Sequence, residues 1–111
     1  MAAAQPALIE TGSANVADAV REGLATLGVG PRDLAHVIVT HIHLDHAGGA
    51  GHVAAMFPEA TIWVHERGAP HLADPSRLLE SAARIYGQER LRELFGLVEP
   101  TPGERLRAIG D

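Results

Sequence analysis

Histidine is concentrated in one part of this sequence. The chain contains seven histidines, and all of them lie between His36 and His71, within about a third of its length. The densest group has the pattern HxHxDH, and it consists of four side chains that can bind a metal: His41, His43, Asp45 and His46. Imidazole and carboxylate ligands suit zinc, iron or manganese. Because the sequence contains no cysteine, a metal site in it must use His, Asp or Glu.

The elements around this group indicate how its side chains converge. The apolar, β-branched run Val37–Thr40 predicts a buried strand that ends where the group begins. Because alternate side chains of an extended chain point the same way, we expect His41 and His43 to face one pocket. Asp45 and His46 follow as the chain turns into a glycine-rich helix, for which Asp45 is the expected N-terminal cap. The local sequence therefore predicts a shared metal site.

Apolar periodicity predicts strands that alternate with helices. The predicted strands are Ala7–Glu10, Val37–Thr40 and Thr61–Val64. The predicted helices are Val16–Leu27, Ala47–Phe57, one starting within Glu66–Leu72, one reaching Tyr86 after a cap at Asp74 or Ser76, and Gln88–Phe95. From Glu99 the chain turns polar, and no further strand is predicted. This order predicts an α/β fold in which short strands are covered by helices.

Composition excludes several classes of protein. The net charge of −5 and the aromatic content of 4% provide neither a basic field nor a stacking surface for nucleic acid. No apolar run is long enough to span a bilayer, and the first residues lack a signal-peptide pattern, so we expect a cytoplasmic protein without a membrane partner. The expected partner is a small-molecule substrate. The charged run 89–93 indicates a solvated helix face, with a homodimer contact as the open alternative.

The segment from His41 to His46, followed by Ala47-Gly48-Gly49, resembles the signature loop of the metallo-β-lactamase superfamily. The segment Leu8–Gly12 resembles the strand that precedes this loop in the family, which often ends in Asp-Thr-Gly, and Glu10 stands in place of that Asp. The resemblance covers the chain from about Ala7 onward. It implies that residues 1–111 form a single partial domain, the N-terminal portion of an αββα sandwich.

The resemblance also implies two metal sites. The residues matching His41 and His43 bind the first metal, those matching Asp45 and His46 bind the second, and distant His residues and a bridging Asp complete the sites. Zinc (Zn2+) is the commonest metal in the family, and iron and manganese occur. The implied function is hydrolysis, in which metal-bound hydroxide attacks an ester, thioester, lactam or phosphate. The residue matching Asp45 orients that hydroxide or takes its proton.

Parts of the family pattern have no counterpart in the sequence. The third His of the family lies in a Thr-Pro-Gly-His segment, whereas Thr101–Glu104 reads Thr-Pro-Gly-Glu, and no His follows His71. We therefore expect a fragment of the domain with an incomplete metal site. Substrate-binding residues are not identified by the sequence, and His65 and His71 are weak candidates.

Two other functions remain open. One is an iron-dependent oxygenase or redox enzyme on the same scaffold, because many reactions can share one fold. The other is a non-catalytic metal-binding fragment, which the missing ligands favour. Metal analysis combined with oxygen consumption separates the oxygenase from the hydrolase.

An incomplete ligand set predicts low activity for the isolated chain. With metal added, we expect the 111-residue chain to hydrolyse substrates little or not at all, because open coordination lowers metal affinity. Steady-state turnover of the purified chain checks this expectation, and a rate comparable to that of ordinary enzymes would contradict it.

Overall fold

One parallel sheet forms the frame of the protein in the computed structural model, which describes residues 5–110. The strands of this part of the chain lie in the order β1 (Ala7–Ile9), β2 (His36–Ile38), β3 (Thr61–His65) and β4 (Leu106–Ile109). The helices are α1 (Ala17–Thr26), α2 (Leu44–Ala47), α3 (Ala50–Met56), α4 (Ala69–Ala73), α5 (Ser76–Tyr86) and α6 (Gln88–Phe95). The predicted α/β class is confirmed; within residues 5–110 there is one sheet, not the two of a complete sandwich.

The core lies around the two central strands. Val37 of β2 and Ile62 and Val64 of β3 are at most 1% exposed and alternate with partly exposed residues, so they lie on the one face of the sheet that is fully covered. Phe57, at the end of α3, and Leu34, before β2, are fully buried against them. Each such side chain stabilises the fold by about 1.5–3 kcal/mol through removal of apolar surface from water. This core holds β2 and β3 in place beneath the histidine loop.

The three predicted strands are confirmed, with ends that differ by one or two residues. The strand predicted at Val37–Thr40 is found at His36–Ile38, and the backbone amide of Val39 continues the pairing by donating to the carbonyl of Trp63. The helix predicted at Ala47–Phe57 is divided into α2 and α3. The division falls at Gly48-Gly49, where helix propensity is low.

The absence of a strand after Glu99 was a wrong prediction. β4 pairs with β3 in parallel, with Ile62 opposite Leu106 and His65 opposite Ile109. Apolar periodicity did not predict this strand because β4 lies at the sheet edge, where only Leu106 is partly buried and Arg107 interrupts the apolar residues. None of the helices that the structure describes is long and apolar enough to cross a bilayer.

Arg105 joins the start of β4 to the core helix α3. Its guanidinium group donates hydrogen bonds at 2.7–3.1 Å to three backbone carbonyls at and beyond the end of that helix, those of Ala54, Phe57 and Ala60. These carbonyls have no partner within the helix, and a cation at a helix C-terminus also interacts favourably with the helix dipole. Arg105 therefore ties the edge strand to the helix that follows the histidine loop.

We expect Arg105→Ala to lower the free energy of unfolding by about 2–3 kcal/mol, because hydrogen bonds to a charged group contribute more than neutral ones. Arg107→Ala is the matched control, since that exposed guanidinium group contacts only nearby backbone carbonyls in the described structure. Urea denaturation monitored by circular dichroism measures both variants. Equal stability of the two variants would show that the Arg105 contacts contribute nothing particular.

Candidate metal centre

The histidine loop lies at the carboxyl edge of the parallel sheet. Glu10 directly follows β1, and Thr40 lies two residues beyond β2, so the adjacent ends of these paired strands bring the two residues together. The loop then runs from Thr40 to α2. The carboxyl edge of an open parallel sheet is the place where such folds usually bind ligands.

The four predicted ligand residues lie in one cluster. The rings of His41 and His46 stack with their centroids 4.1 Å apart, and the ring of His43 lies 5.5 Å from that of His41. The carboxylate of Asp45 approaches Nε2 of His46 to 3.8 Å. His41, His43 and Asp45 are exposed and His46 is partly buried, so the cluster is open to solvent. Its assignment as a metal site remains a prediction.

The loop is held by its apolar residues and by the start of α2. Leu44 is buried, and Ile42 packs against the core cluster. The carbonyl of His43 accepts hydrogen bonds from the amides of His46 and Ala47, which begins the helix. Asp45 was the expected cap, and that expectation is wrong: Asp45 lies inside the first turn and forms no capping bond, while His43 occupies the N-cap position.

The segment that follows β1 fastens the far end of the loop. The amides of Thr11 and Gly12 donate hydrogen bonds to the carbonyl of His46, and the Thr11 hydroxyl group shares its proton between that carbonyl, at 3.2 Å, and the carbonyl of Gly12, at 3.0 Å. In return, the carbonyl of Gly12 accepts a hydrogen bond of 3.0 Å from the amide of Gly49. A Cβ atom at position 49 would lie 3.2 Å from the carbonyl oxygen of Ser13, so glycine permits this close approach. The backbone of His46 is therefore fixed from outside its own helix.

Glu10 joins both ends of the loop with one carboxylate. Its Oε1 accepts hydrogen bonds from the amide of Thr40 at 2.6 Å and from the Thr40 hydroxyl group at 2.5 Å. Its Oε2 accepts a hydrogen bond from Nδ1 of His46 at 2.7 Å. Glu10 has a φ of 69°, the only positive φ of a non-glycine residue in the described part of the chain. Such a conformation costs on the order of 1–3 kcal/mol and is found mostly at functional sites.

The charge of Glu10 follows from these contacts. Burial raises the pKa of the carboxyl group, but the hydrogen bonds from Thr40 and His46 outweigh burial. The pKa therefore lies below its ordinary value of 4.5, and the group is ionised at neutral pH. An ionised carboxylate can only accept hydrogen bonds.

Because the carboxylate of Glu10 can only accept hydrogen bonds, its contacts determine which ring nitrogen carries a proton in His41 and in His46. His46 must carry a proton on Nδ1 in order to donate to Glu10, and in the neutral ring Nε2 then has a lone pair. The Thr40 hydroxyl group gives its single proton to Glu10, so it must accept from Nδ1 of His41, which lies 2.6 Å away. Nε2 of His41 is then also available. Both rings are therefore oriented and protonated as metal ligands require.

Three residues of the described structure lie close enough together to be considered as a metal site. Glu10, His41 and His46 each offer an atom, and these three atoms lie within 4.8 Å of one another. Since the Glu10 oxygens already accept from Thr40 and His46, we interpret Glu10 as the outer partner of the histidines and not as a ligand. His43 and Asp45 lie next to this group but outside it.

The structure also locates the two weak substrate candidates. His65 ends β3, and its Nδ1 accepts a hydrogen bond from the amide of Arg67. His71 lies on α4 and lines a small pocket together with Ile42 and Leu44. Neither belongs to the candidate metal group, so their proposed contact with substrate remains a prediction.

Glu10 is the residue whose role sequence reasoning missed. In the sequence it was only a departure from the Asp-Thr-Gly pattern at the end of the first strand. The available signal was an acidic residue at the carboxyl end of a strand that pairs in parallel with the strand before the histidine loop.

Comparison with known proteins agrees with this fold and loop. Residues 4–109 match the model of the family described as the metallo-beta-lactamase superfamily. The chain belongs to the metallo-beta-lactamase superfamily. Membership supports a metallo-hydrolase type of function in general terms.

The superfamily relatives include metallo-beta-lactamase domain-containing protein 1 of Rattus norvegicus, with 43% identity over 84 residues, and that of Mus musculus, with 40% identity. The match covers 74% of this chain and about a third of the length of each relative.

Solved structures of superfamily members share the fold. An archaeal member from Sulfolobus tokodaii aligns over 95% of this chain and 38% of its own, with a TM-score of 0.69 and 22% identity. A subclass B3 metallo-beta-lactamase isolated from a soil metagenome library aligns over all of this chain and 38% of its own, with a TM-score of 0.68 and 22% identity. At this identity the similarity shows the fold alone.

We expect Glu10→Gln to weaken zinc binding by about 10- to 100-fold, the usual effect of losing an outer partner of a metal-binding histidine. Thr40 and His46 donate to different oxygens of Glu10, and in glutamine one of these oxygens is replaced by an NH2 group that can only donate. Titration calorimetry with zinc measures the affinity. Glu59→Gln is the control, because it removes the same charge at an exposed position that contacts Arg32. Unchanged zinc affinity in Glu10→Gln would contradict the orienting role.

Proposed function

We propose that this chain carries the metal-binding loop of a zinc-dependent hydrolase that acts on a small-molecule substrate. The observation that carries the proposal is the shared orientation of His41 and His46, whose Nδ1 atoms are both engaged through Glu10 and Thr40. A histidine held in this way presents Nε2 to a metal. A loop of surface histidines without a metal role would not require this arrangement.

His41, His43, Asp45 and His46 are the proposed ligands, shared between two metal ions. When bound, zinc lowers the pKa of water towards neutrality and polarises a carbonyl or phosphoryl oxygen. The exposure of the cluster leaves room for water and substrate. Zinc is proposed over iron and manganese because His and carboxylate ligands with an open position are typical of catalytic zinc sites.

Asp45 is the proposed proton acceptor. It lies in the first turn of α2, and its side chain is 66% exposed although its carboxylate lies 3.8 Å from Nε2 of His46. A carboxylate in this position can orient a water molecule in the cluster and take its proton.

The test is the dependence of hydrolysis on zinc and on His41. We expect slow hydrolysis of an activated carboxylic ester by the zinc-loaded chain, and a loss of about tenfold or more of the zinc-dependent rate in His41→Gln, since a ligand contributes at least as much as its outer partner. His52→Gln is the matched control, because His52 bonds to the carbonyl of Leu97 outside the cluster.

Two results would contradict the proposal. One is a rate that is the same with zinc and with a chelator. The other is an equal loss of rate in both histidine variants. Oxygen consumption by an iron-loaded chain, without hydrolysis, would favour the oxygenase alternative.

A further inference from the structure

A cavity of about 370 Å³ opens beside the metal cluster. His43 and Asp45 form part of its lining, and the remaining wall comes mainly from α5, with Phe95 from α6. This volume is at the lower end of the range for small-molecule sites, about 300–1,000 Å³. A ligand in the cavity would therefore touch both the proposed catalytic loop and the helical wall.

The helical wall is apolar although it faces solvent. Ile85 is 78% exposed and Tyr86 is 41% exposed, and both lie on the cavity side of α5. The ring of Tyr86 meets that of Phe95 edge to face, with centroids 5.7 Å apart. Ala82, one turn before Tyr86, is also part of this wall. Exposed apolar side chains grouped around a concavity usually mark a binding site.

The end of α6 is hydrogen-bonded to the segment that follows β1, and this segment also holds the histidine loop. The side-chain amide of Asn15 donates a hydrogen bond of 3.1 Å to the carbonyl of Leu94, near the end of α6. A Cβ atom at position 96 would lie 2.6 Å from the amide nitrogen of Asn15, so the chain packs tightly here. Asn15 lies shortly after Thr11 and Gly12, which fasten His46. Wall and cluster therefore keep a defined relative position.

The charges of the side chains that line the cavity limit the kinds of ligand that it can bind. No Lys or Arg lines this cavity in the described structure, and Asp45 adds negative charge at its polar end. A phosphate or another strongly anionic group would meet no cationic partner in such a cavity. A neutral group with a carbonyl at one end and an apolar chain at the other matches the lining.

We propose that this cavity binds the apolar acyl chain of a carboxylic ester or thioester whose carbonyl group lies at His43 and Asp45. This inference rests on the proposed hydrolase function and names its substrate class. Ile85, Tyr86 and Phe95 are then the residues that select for acyl chain length. The chain-length preference belongs to the cavity alone, so it can be measured separately from the metal.

The test measures binding of neutral acyl analogues in a series of primary amides, which carry the carbonyl group without a charge: acetamide, butanamide, hexanamide and octanamide. Chemical-shift titration of the ¹⁵N-labelled chain gives each affinity, in the metal-free and in the zinc-loaded protein. We expect each added methylene group to tighten binding by about two- to four-fold in both forms, because apolar area is removed from water. We expect zinc to tighten binding of the whole series by a common factor.

Ile85→Ser should flatten this dependence on chain length, because it removes apolar surface from the wall. Leu27→Ser is the matched control, since Leu27 is 79% exposed, is equally apolar and lies outside the cavity. Both substitutions fall on exposed side chains, so both variants are expected to fold. Circular dichroism confirms folding before each titration.

The possible results distinguish the proposed acyl cavity from the proposed hydrolase function. A flat series in the wild-type chain, or the same slope in Ile85→Ser, overturns the acyl cavity. A wild-type dimer in sedimentation that becomes monomeric in Ile85→Ser also overturns it, because a second copy would then cover the wall. A chain-length dependence that persists without any effect of zinc supports the cavity and counts against the hydrolase function.

Discussion

The carboxylate of Glu10 is the contact on which the histidine loop depends. It accepts hydrogen bonds from Thr40 at the start of the loop and from His46 in the helix that ends it. Hydrogen bonds to a charged group contribute about 1.5–3 kcal/mol each, so together they outweigh the cost of the positive φ at Glu10, on the order of 1–3 kcal/mol. The short sheet makes this contact available, because parallel pairing of β1 with β2 sets Glu10 beside Thr40.

The surrounding elements divide into a rigid base and an open site. The buried residues of β2 and β3 and the packing of Leu44 fix the backbone of the loop, while its histidines remain accessible. The segment after β1 fastens His46 on one side and the end of α6 on the other. One short segment thus couples the histidine cluster to the apolar wall of the neighbouring cavity. A substrate with a polar centre and an apolar chain would use both.

Sequence could predict those features that depend on local pattern. The histidine loop is contiguous, and the β-branched run before it and the glycines after it indicate its strand and helix. The role of Glu10 depends on the pairing of residues 29 positions apart in the sequence, Ala7 with His36 and Ile9 with Ile38, which local periodicity does not contain. β4 was not predicted, because an edge strand with little buried surface does not need a run of apolar residues. Asp45 was wrongly predicted as the cap because the helix starts at Leu44, two residues earlier than a cap at Asp45 requires.

Locating the ring protons of His41 and His46 tests most directly the central claim that Glu10 and Thr40 orient both rings. Long-range ¹H–¹⁵N correlation spectra of the metal-free chain, in mildly alkaline buffer where imidazole side chains are in general neutral, report which ring nitrogen is protonated. The contacts through Glu10 and Thr40 predict that both rings carry the proton on Nδ1 and that Glu10→Ala returns them to a mixture of tautomers. Protonation of Nε2 in the wild-type chain, or spectra that Glu10→Ala leaves unchanged, would contradict the account.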